Sequence, residues 1–290
     1  MKENKLPMKK AMLNLFILTS GVVFSQQSTE NIMIHTGNTD NAFFNKVKIT
    51  DKEETKSIQL KDGHYTFQNQ DQKADISIKN TLISGHVTAL RDKEKTDFTI
   101  VNSYITAYDI FTDDIIINAY RDAQKAYFKK YDSNKVLKAD GWMSLDKNKH
   151  YGKGVSKNYF ENGKVSRISD EVTETYTDFY PDGNKKQKIG GNVFESYNEN
   201  GTLNNKQYTK NNIRYNDYYQ NGKLYTHAYQ NKEGNEVTEY YKNGILDKKE
   251  TVKIINGEKR LLTHNKAGKL ISNIPYSQTA AGEIKYAPER

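Results

Sequence analysis

From residue 159 onward, short runs in which apolar and polar side chains alternate are separated about every ten residues by turn-forming residues. In 223–229, Leu224, Thr226 and Ala228 fall on one side of a period-two pattern, and Tyr225, His227 and Tyr229 fall on the other. Alternation of this kind predicts half-buried strands. The breakers between them repeat a phrase: YFENGKV at 159–165, FYPDGNK at 179–185, YNENGTL at 197–203, YYQNGKL at 218–224, YYKNGIL at 240–246 and a weaker THNKAGKL at 263–270. Its glycines are Gly163, Gly183, Gly201, Gly222, Gly244 and Gly268, in steps of 20, 18, 21, 22 and 24 residues. Self-similarity at a near-constant period marks a repeat architecture.

Each copy is expected to be a hairpin tip. Both central residues of a type I′ turn need φ > 0, which Gly adopts freely and Asn or Asp tolerates. Halfway between the tips lie further breakers, Gly190-Gly191, Asn211-Asn212, 231–234 and Asn256-Gly257. That leaves about six or seven residues per strand, a usual length. The expected fold is all-β, an elongated antiparallel meander of roughly twenty-residue hairpin repeats. Such a sheet is held by cross-strand aromatic and β-branched pairs rather than by a deep core.

The Y-x-N-G-K-L phrase at this spacing resembles the bacterial MORN-repeat variants, including YwqK-type antitoxin-like repeat proteins; the match covers about residues 155–275. The resemblance implies a sheet of successive hairpins used for protein contacts and, in some members, lipid contacts. Upstream, IKNTLISGHVTAL at 78–90 resembles the same unit with Thr81 in the glycine position. LKDGHYTF at 60–67 supplies an Asp-Gly tip, and YDSNKVL at 131–137 a degenerate one at Asn134. Residues 46–130 are therefore either decayed repeats or a separate β-domain. Within 113–131 one short helix capped by Asp113 or Asp114 competes with a strand at 115–117.

The N-terminus reads as an address. Lys9 and Lys10 precede an apolar run over 11–24, too short to span a bilayer, and Val23 and Ser25 suit a cleavage site before Gln26. The expected organisation is a signal peptide at 1–25, a linker at 26–45, a β region at 46–130, the repeat array at 131–275 and a tail at 276–290. The mature chain is expected in the periplasm or outside the cell, without a transmembrane span.

Composition refines this picture. Hydrophobic residues make up 35% and the mean hydropathy is −0.90, but 21 Tyr, 11 Phe and only 4 Pro argue against disorder. The formal charge is +8, of which residues 1–25 supply four Lys and one Glu, leaving +5 for the rest. Lys and Glu are interspersed, not gathered into the basic stripe of a nucleic-acid binder. With no Cys there is no disulfide, thiolate ligand or lipid-attachment thiol.

The search for chemistry is brief. His35, His64, His86, His150, His227 and His264 form no zinc signature, and no nucleophile elbow or phosphate loop is present. No catalytic, cofactor or metal residues are assigned. The structural residues are the six tip glycines. The candidate binding face is Tyr225, His227 and Tyr229, extended by Tyr218 and Tyr240 if register allows, with Tyr offering broad contact and a polar tip. These tyrosines also have an ordinary role, pairing across strands. The expected function is a non-enzymatic, exported scaffold that binds another protein, in one version a toxin to be neutralised. An envelope glycan or lipid is the alternative ligand, and a hydrolase within 45–150 a third.

Overall fold

In a computed structural model, the structure describes residues 32–35, 43, 46–51, 53, 56–278 and 284–286. The signal peptide expected at 1–25 lies outside the described residues. The chain is all-β and antiparallel, a meander as the alternation predicts, and falls into two compact units that divide between Asp113 and Asp114.

The first unit holds β1 (Ile32–His35), β2 (Lys48–Asp51), β3 (Gly63–Gln68), β4 (Gln72–Lys79), β5 (Leu82–Arg91), β6 (Glu94–Val101) and β7 (Tyr104–Phe111). Strict alternation along β4 buries Gln72, Ala74, Ile76 and Ile78. Val87 on β5, Phe98 and Ile100 on β6 and Ile105 on β7 are buried as well, which gives the unit a true core. The two-stranded ribbon β1–β2 contributes Ile32, Ile34 and Ile49 to the buried set. It is tied to β4 by Gln72, whose Oε1 accepts from Ile34 N–H at 2.9 Å and whose Nε2 donates to Ile34 O at 2.8 Å. Thus part of the stretch read as a linker, 26–45, forms β1.

The second unit begins with β8 (Ile115–Arg121), β9 (Lys125–Asp132), β10 (Leu137–Ser144) and β11 (Gly154–Tyr159). It continues through β12 (Val165–Asp170), β13 (Thr175–Phe179), β14 (Lys185–Gly190), β15 (Val193–Tyr197) and β16 (Leu203–Lys210). The last members are β17 (Ile213–Gln220), β18 (Lys223–Gln230), β19 (Glu236–Lys242), β20 (Ile245–Ile255), β21 (Glu258–Asn265), β22 (Leu270–Gln278) and β23 (Ile284–Tyr286). From β8 to β23 each strand pairs with the one that follows it within the unit.

The structure corrects several local expectations. The helix considered within 113–131 is absent. Asp122 Oδ1 accepts from Gln124 N–H and Lys125 N–H, both at 2.7 Å, and turns the chain between β8 and β9. Tyr120 then stacks on Tyr127 across the hairpin with centroids 5.0 Å apart. Asp62-Gly63 is not a tip, because Gly63 opens β3 and the hairpin to β4 turns at 69–71. Asn80-Thr81 does form the β4–β5 tip, with φ of 51° and 65°. At 131–137 the tip exists, but Lys135 rather than Asn134 takes the left-handed position, at φ 62°.

The six glycine tips come in two kinds. Asn221-Gly222 and Asn243-Gly244 have both φ positive, the expected two-residue I′ turn. At Gly163, Gly183, Gly201 and Gly268 only the glycine is left-handed, and its N–H donates to the carbonyl three residues back at 2.9–3.0 Å. These are three-residue loops built on a type I turn. In both kinds an extra, unpaired residue follows three positions after the glycine: Ser166, Lys186, Asn204, Tyr225, Asp247 and Ile271. A one-residue bulge inverts the alternation on its strand, so each hairpin changes which side chains share a face.

Candidate functional site

The bulge reorganises the face expected from period-two counting. Asp217 pairs with His227 and Tyr215 with Tyr229, so His227 and Tyr229 share a face. Tyr218 is opposite Thr226, and Thr226 is opposite Tyr240, which places Tyr218 and Tyr240 on the other face. Tyr225 sits in the bulge itself, 49% exposed. The five residues therefore do not form one surface.

The face that carries His227 and Tyr229 is built in rows. Successive register partners place Lys188, Glu195, Lys206, Asp217, His227, Glu239, Lys249 and His264 in line across β14–β21. The row reads as near-alternating charge. Lys206 Nζ is 3.0 Å from Glu195, His227 Nδ1 is 2.5 Å from Asp217, and Lys249 Nζ is 3.8 Å from Glu239. On the tip side, Tyr197 pairs with Leu203, Tyr219 with Leu224 and Tyr241 with Leu246. On the other side Tyr208 stacks on Tyr215 at 5.0 Å, Tyr215 on His227 at 5.2 Å, and His227 meets Tyr229 at 5.1 Å.

Charge and aromatic rows are joined by hydroxyls. Tyr197 OH donates to Glu195 Oε2 and Tyr241 OH to Glu239 Oε2, each at 2.8 Å and each two residues back along its strand. Tyr229 OH donates to Glu239 Oε1 at 3.2 Å. Burial, reinforced by these carboxylates, pushes the Tyr197 and Tyr241 phenols up to about 12. Tyr219 is raised in the same way, by burial and then by Asp217. Burial also presses the Glu195 carboxyl upward, but hydrogen bonds from Lys206 and Tyr197 outweigh it and hold the group below its ordinary value. Each of these six tyrosines is neither fully buried nor freely exposed. The result is a half-buried aromatic surface in which the Tyr197, Tyr229 and Tyr241 hydroxyls are engaged by carboxylates.

Sequence reasoning missed Tyr197, Tyr208, Tyr215, Tyr219, Tyr241 and the carboxylates that hold them. A signal was there: an acidic residue two before the tyrosine at Glu195/Tyr197, Asp217/Tyr219 and Glu239/Tyr241, in steps of 22 residues.

Among the described residues no group of three or more His, Asp and Glu is arranged to hold a metal ion. In the first unit a hollow is lined by His86, Thr88, Asp97 and Asp109. Burial raises the Asp97 carboxyl, but Lys95 at 2.7 Å and Thr88 at 2.6 Å more than offset this and keep it below the usual range. A carboxyl so held is a poor general acid near neutrality.

No family model matches the chain, and no curated protein matches it. Among solved structures, one titled "Crystal structure of the eukaryotic initiation factor" aligns at 10% identity and a TM-score of 0.14. That alignment covers 83% of this chain and 61% of the other, so the chain spans less than two thirds of that structure. At such a score the likeness carries no inference about fold or partner.

Proposed function

We propose that the chain is an exported, non-enzymatic repeat protein that binds another protein through the tyrosine face of β15–β21. The observation that carries this reading is the array of six tyrosines in rows flanking a ladder of charge, with their hydroxyls or rings fixed by neighbours on the same face. Fixed aromatic side chains give large contact area with little rotamer entropy left to lose, which is what interface anchors require. The charge ladder adds register and steers approach more than it adds affinity.

The likeness of the repeated phrase to MORN-variant proteins supports a scaffold role, and in its specific form an immunity role against a toxin acting in the envelope. The signal-like segment at 1–25 supports export. The test is cross-linked capture from the envelope fraction with the tagged mature chain, compared with a Lys206→Glu, Lys249→Glu double variant. Each reversal sets a carboxylate beside Glu195 or Glu239, so the double variant should melt somewhat below the parent yet remain folded, since both lysines are partly exposed, while capture of the partner identified by mass spectrometry drops at least tenfold. Undiminished capture by the folded variant would place the interface elsewhere.

A further inference from the structure

The chain carries the dipeptide Asn-Gly five times, at Asn162, Asn200, Asn221, Asn243 and Asn256. All five asparagines are exposed, so access to water does not separate them. Hydrogen bonding does. In the three-residue loops, Gly163 N–H donates to Phe160 O at 3.0 Å and Gly201 N–H to Asn198 O at 2.9 Å. The asparagine amides beside them are held as well. Asn162 Oδ1 accepts from Lys164 N–H at 3.0 Å and its Nδ2 donates to Pro181 O at 2.9 Å. Asn200 Oδ1 accepts from Thr202 N–H at 3.0 Å and from the Thr202 hydroxyl at 2.6 Å. The other three dipeptides are two-residue tips with both residues left-handed, at φ 52° and 72° for Asn221-Gly222, 56° and 78° for Asn243-Gly244, and 52° and 82° for Asn256-Gly257. Among the described residues, nothing hydrogen-bonds to the side-chain amides of Asn221, Asn243 and Asn256 or to the N–H groups of Gly222, Gly244 and Gly257.

We infer that Asn221, Asn243 and Asn256 are sites of spontaneous deamidation and that Asn162 and Asn200 are protected from it by their loops. The backbone nitrogen of the glycine attacks the asparagine Cγ, a C–N bond forms, the bond from Cγ to the side-chain nitrogen breaks, and ammonia leaves. The succinimide ring that results is opened by water at one carbonyl or the other, giving aspartate or isoaspartate. Glycine permits the attack because no side chain shields its nitrogen and its backbone turns freely. At Asn162 and Asn200 the same motion must first break the glycine N–H bond and the bonds of the amide, each of which opposes it. At the two-residue tips neither set of bonds exists, so the step draws only on local opening of an exposed turn. Each event adds a negative charge, and isoaspartate also lengthens the main chain of the tip by one carbon. At Asn221 and Asn243 that change falls beside the Tyr219–Leu224 and Tyr241–Leu246 pairs.

The inference stands on tip geometry alone and is independent of the binding reading. The full chain, held at mildly alkaline pH and physiological temperature and sampled over days by peptide mapping with mass spectrometry, tests it. The amide-to-acid mass shift should accumulate at Asn221, Asn243 and Asn256 at least tenfold faster than at Asn162 and Asn200. In concentrated urea the five rates should converge to within about threefold, because the residue after each asparagine is the same. Equal rates at all five sites in the folded chain overturn the inference. So does survival of the native order in urea, which would trace it to flanking sequence rather than to hydrogen bonds. Conversion confined to Asn256 would overturn it too, since opening of the last hairpins of the array would then be the cause.

Discussion

A tyrosine hydroxyl aimed at a carboxylate two residues back is the smallest repeated device in the array. Its energetic sign can be read from the phenol. Tyr197 and Tyr241 ionise at about 12 in the folded chain against an ordinary 10.0, because burial and then the adjacent Glu195 or Glu239 disfavour the phenolate. A folded-state pKa above the unfolded one means that the native state holds the proton more tightly. The contribution is fully present below pH 10 and is lost as pH rises from 10 toward 12. The melting temperature should therefore fall across that interval. A Tyr197→Phe, Tyr241→Phe double variant should flatten the fall, and an ultraviolet titration should show these two phenols ionising above the ordinary 10.0. An unflattened profile would show that burial and carboxylate do not act on these rings as described.

Hairpins in the second unit tolerate two tip lengths because the same aromatic–aliphatic pair closes both. Tyr219 meets Leu224 across the two-residue tip at Asn221-Gly222, and Tyr159 meets Val165 across the three-residue loop at 161–163. One residue inserted between Gln220 and Asn221 would reproduce the longer form. Deleting Tyr225 is a different change. It removes the bulge and leaves Leu224 and His227 two residues apart, so the Tyr219–Leu224 and His227–Asp217 pairs keep one face in plain register. Thermal melts should show both changes within a few degrees of the parent. A deletion melting far below the insertion would show that the bulge contributes to the sheet beyond its effect on register. The tips also lean on one another: Asn162 Nδ2 donates to Pro181 O at 2.9 Å and Asn184 Nδ2 to Glu199 O at 2.8 Å, joining successive loops along one edge.

Across the whole molecule, buried aliphatic and aromatic side chains are concentrated before residue 114. Beyond it the fully buried hydrophobic residues are Ala119, Ala126, Val237 and Leu261 among the described residues. The first unit is thus held by a core, whereas the second is held by nearest-neighbour strand contacts and face pairs. Stability in such an array is a sum of local terms, and its last hairpin opens most easily. Native-state hydrogen exchange should show amides of Ile76, Val87, Ile100 and Ile105 as the slowest. Those of β21 and β22 should exchange by a separate, lower-energy opening. Exchange of both sets at one common rate would contradict this division.

What the sequence determined by itself was the element menu and its rhythm. Turn chemistry is local, so the Asn-Gly and Asp-Gly phrases announced hairpin tips and, with them, strands of the right length and an antiparallel meander. Alternation along 223–229 likewise announced a strand, which is β18. The faces were decided only by tertiary structure. A single unpaired residue after each tip glycine inverts the alternation, and whether a residue is paired or bulged depends on the neighbouring strand, not on its own identity. Tyr218 and Tyr240 therefore moved to the face opposite His227 and Tyr229, and Tyr225 to neither pairing. For the same reason 115–117 became strand rather than helix, since Tyr120 found Tyr127 across a turn that no propensity within the segment could specify.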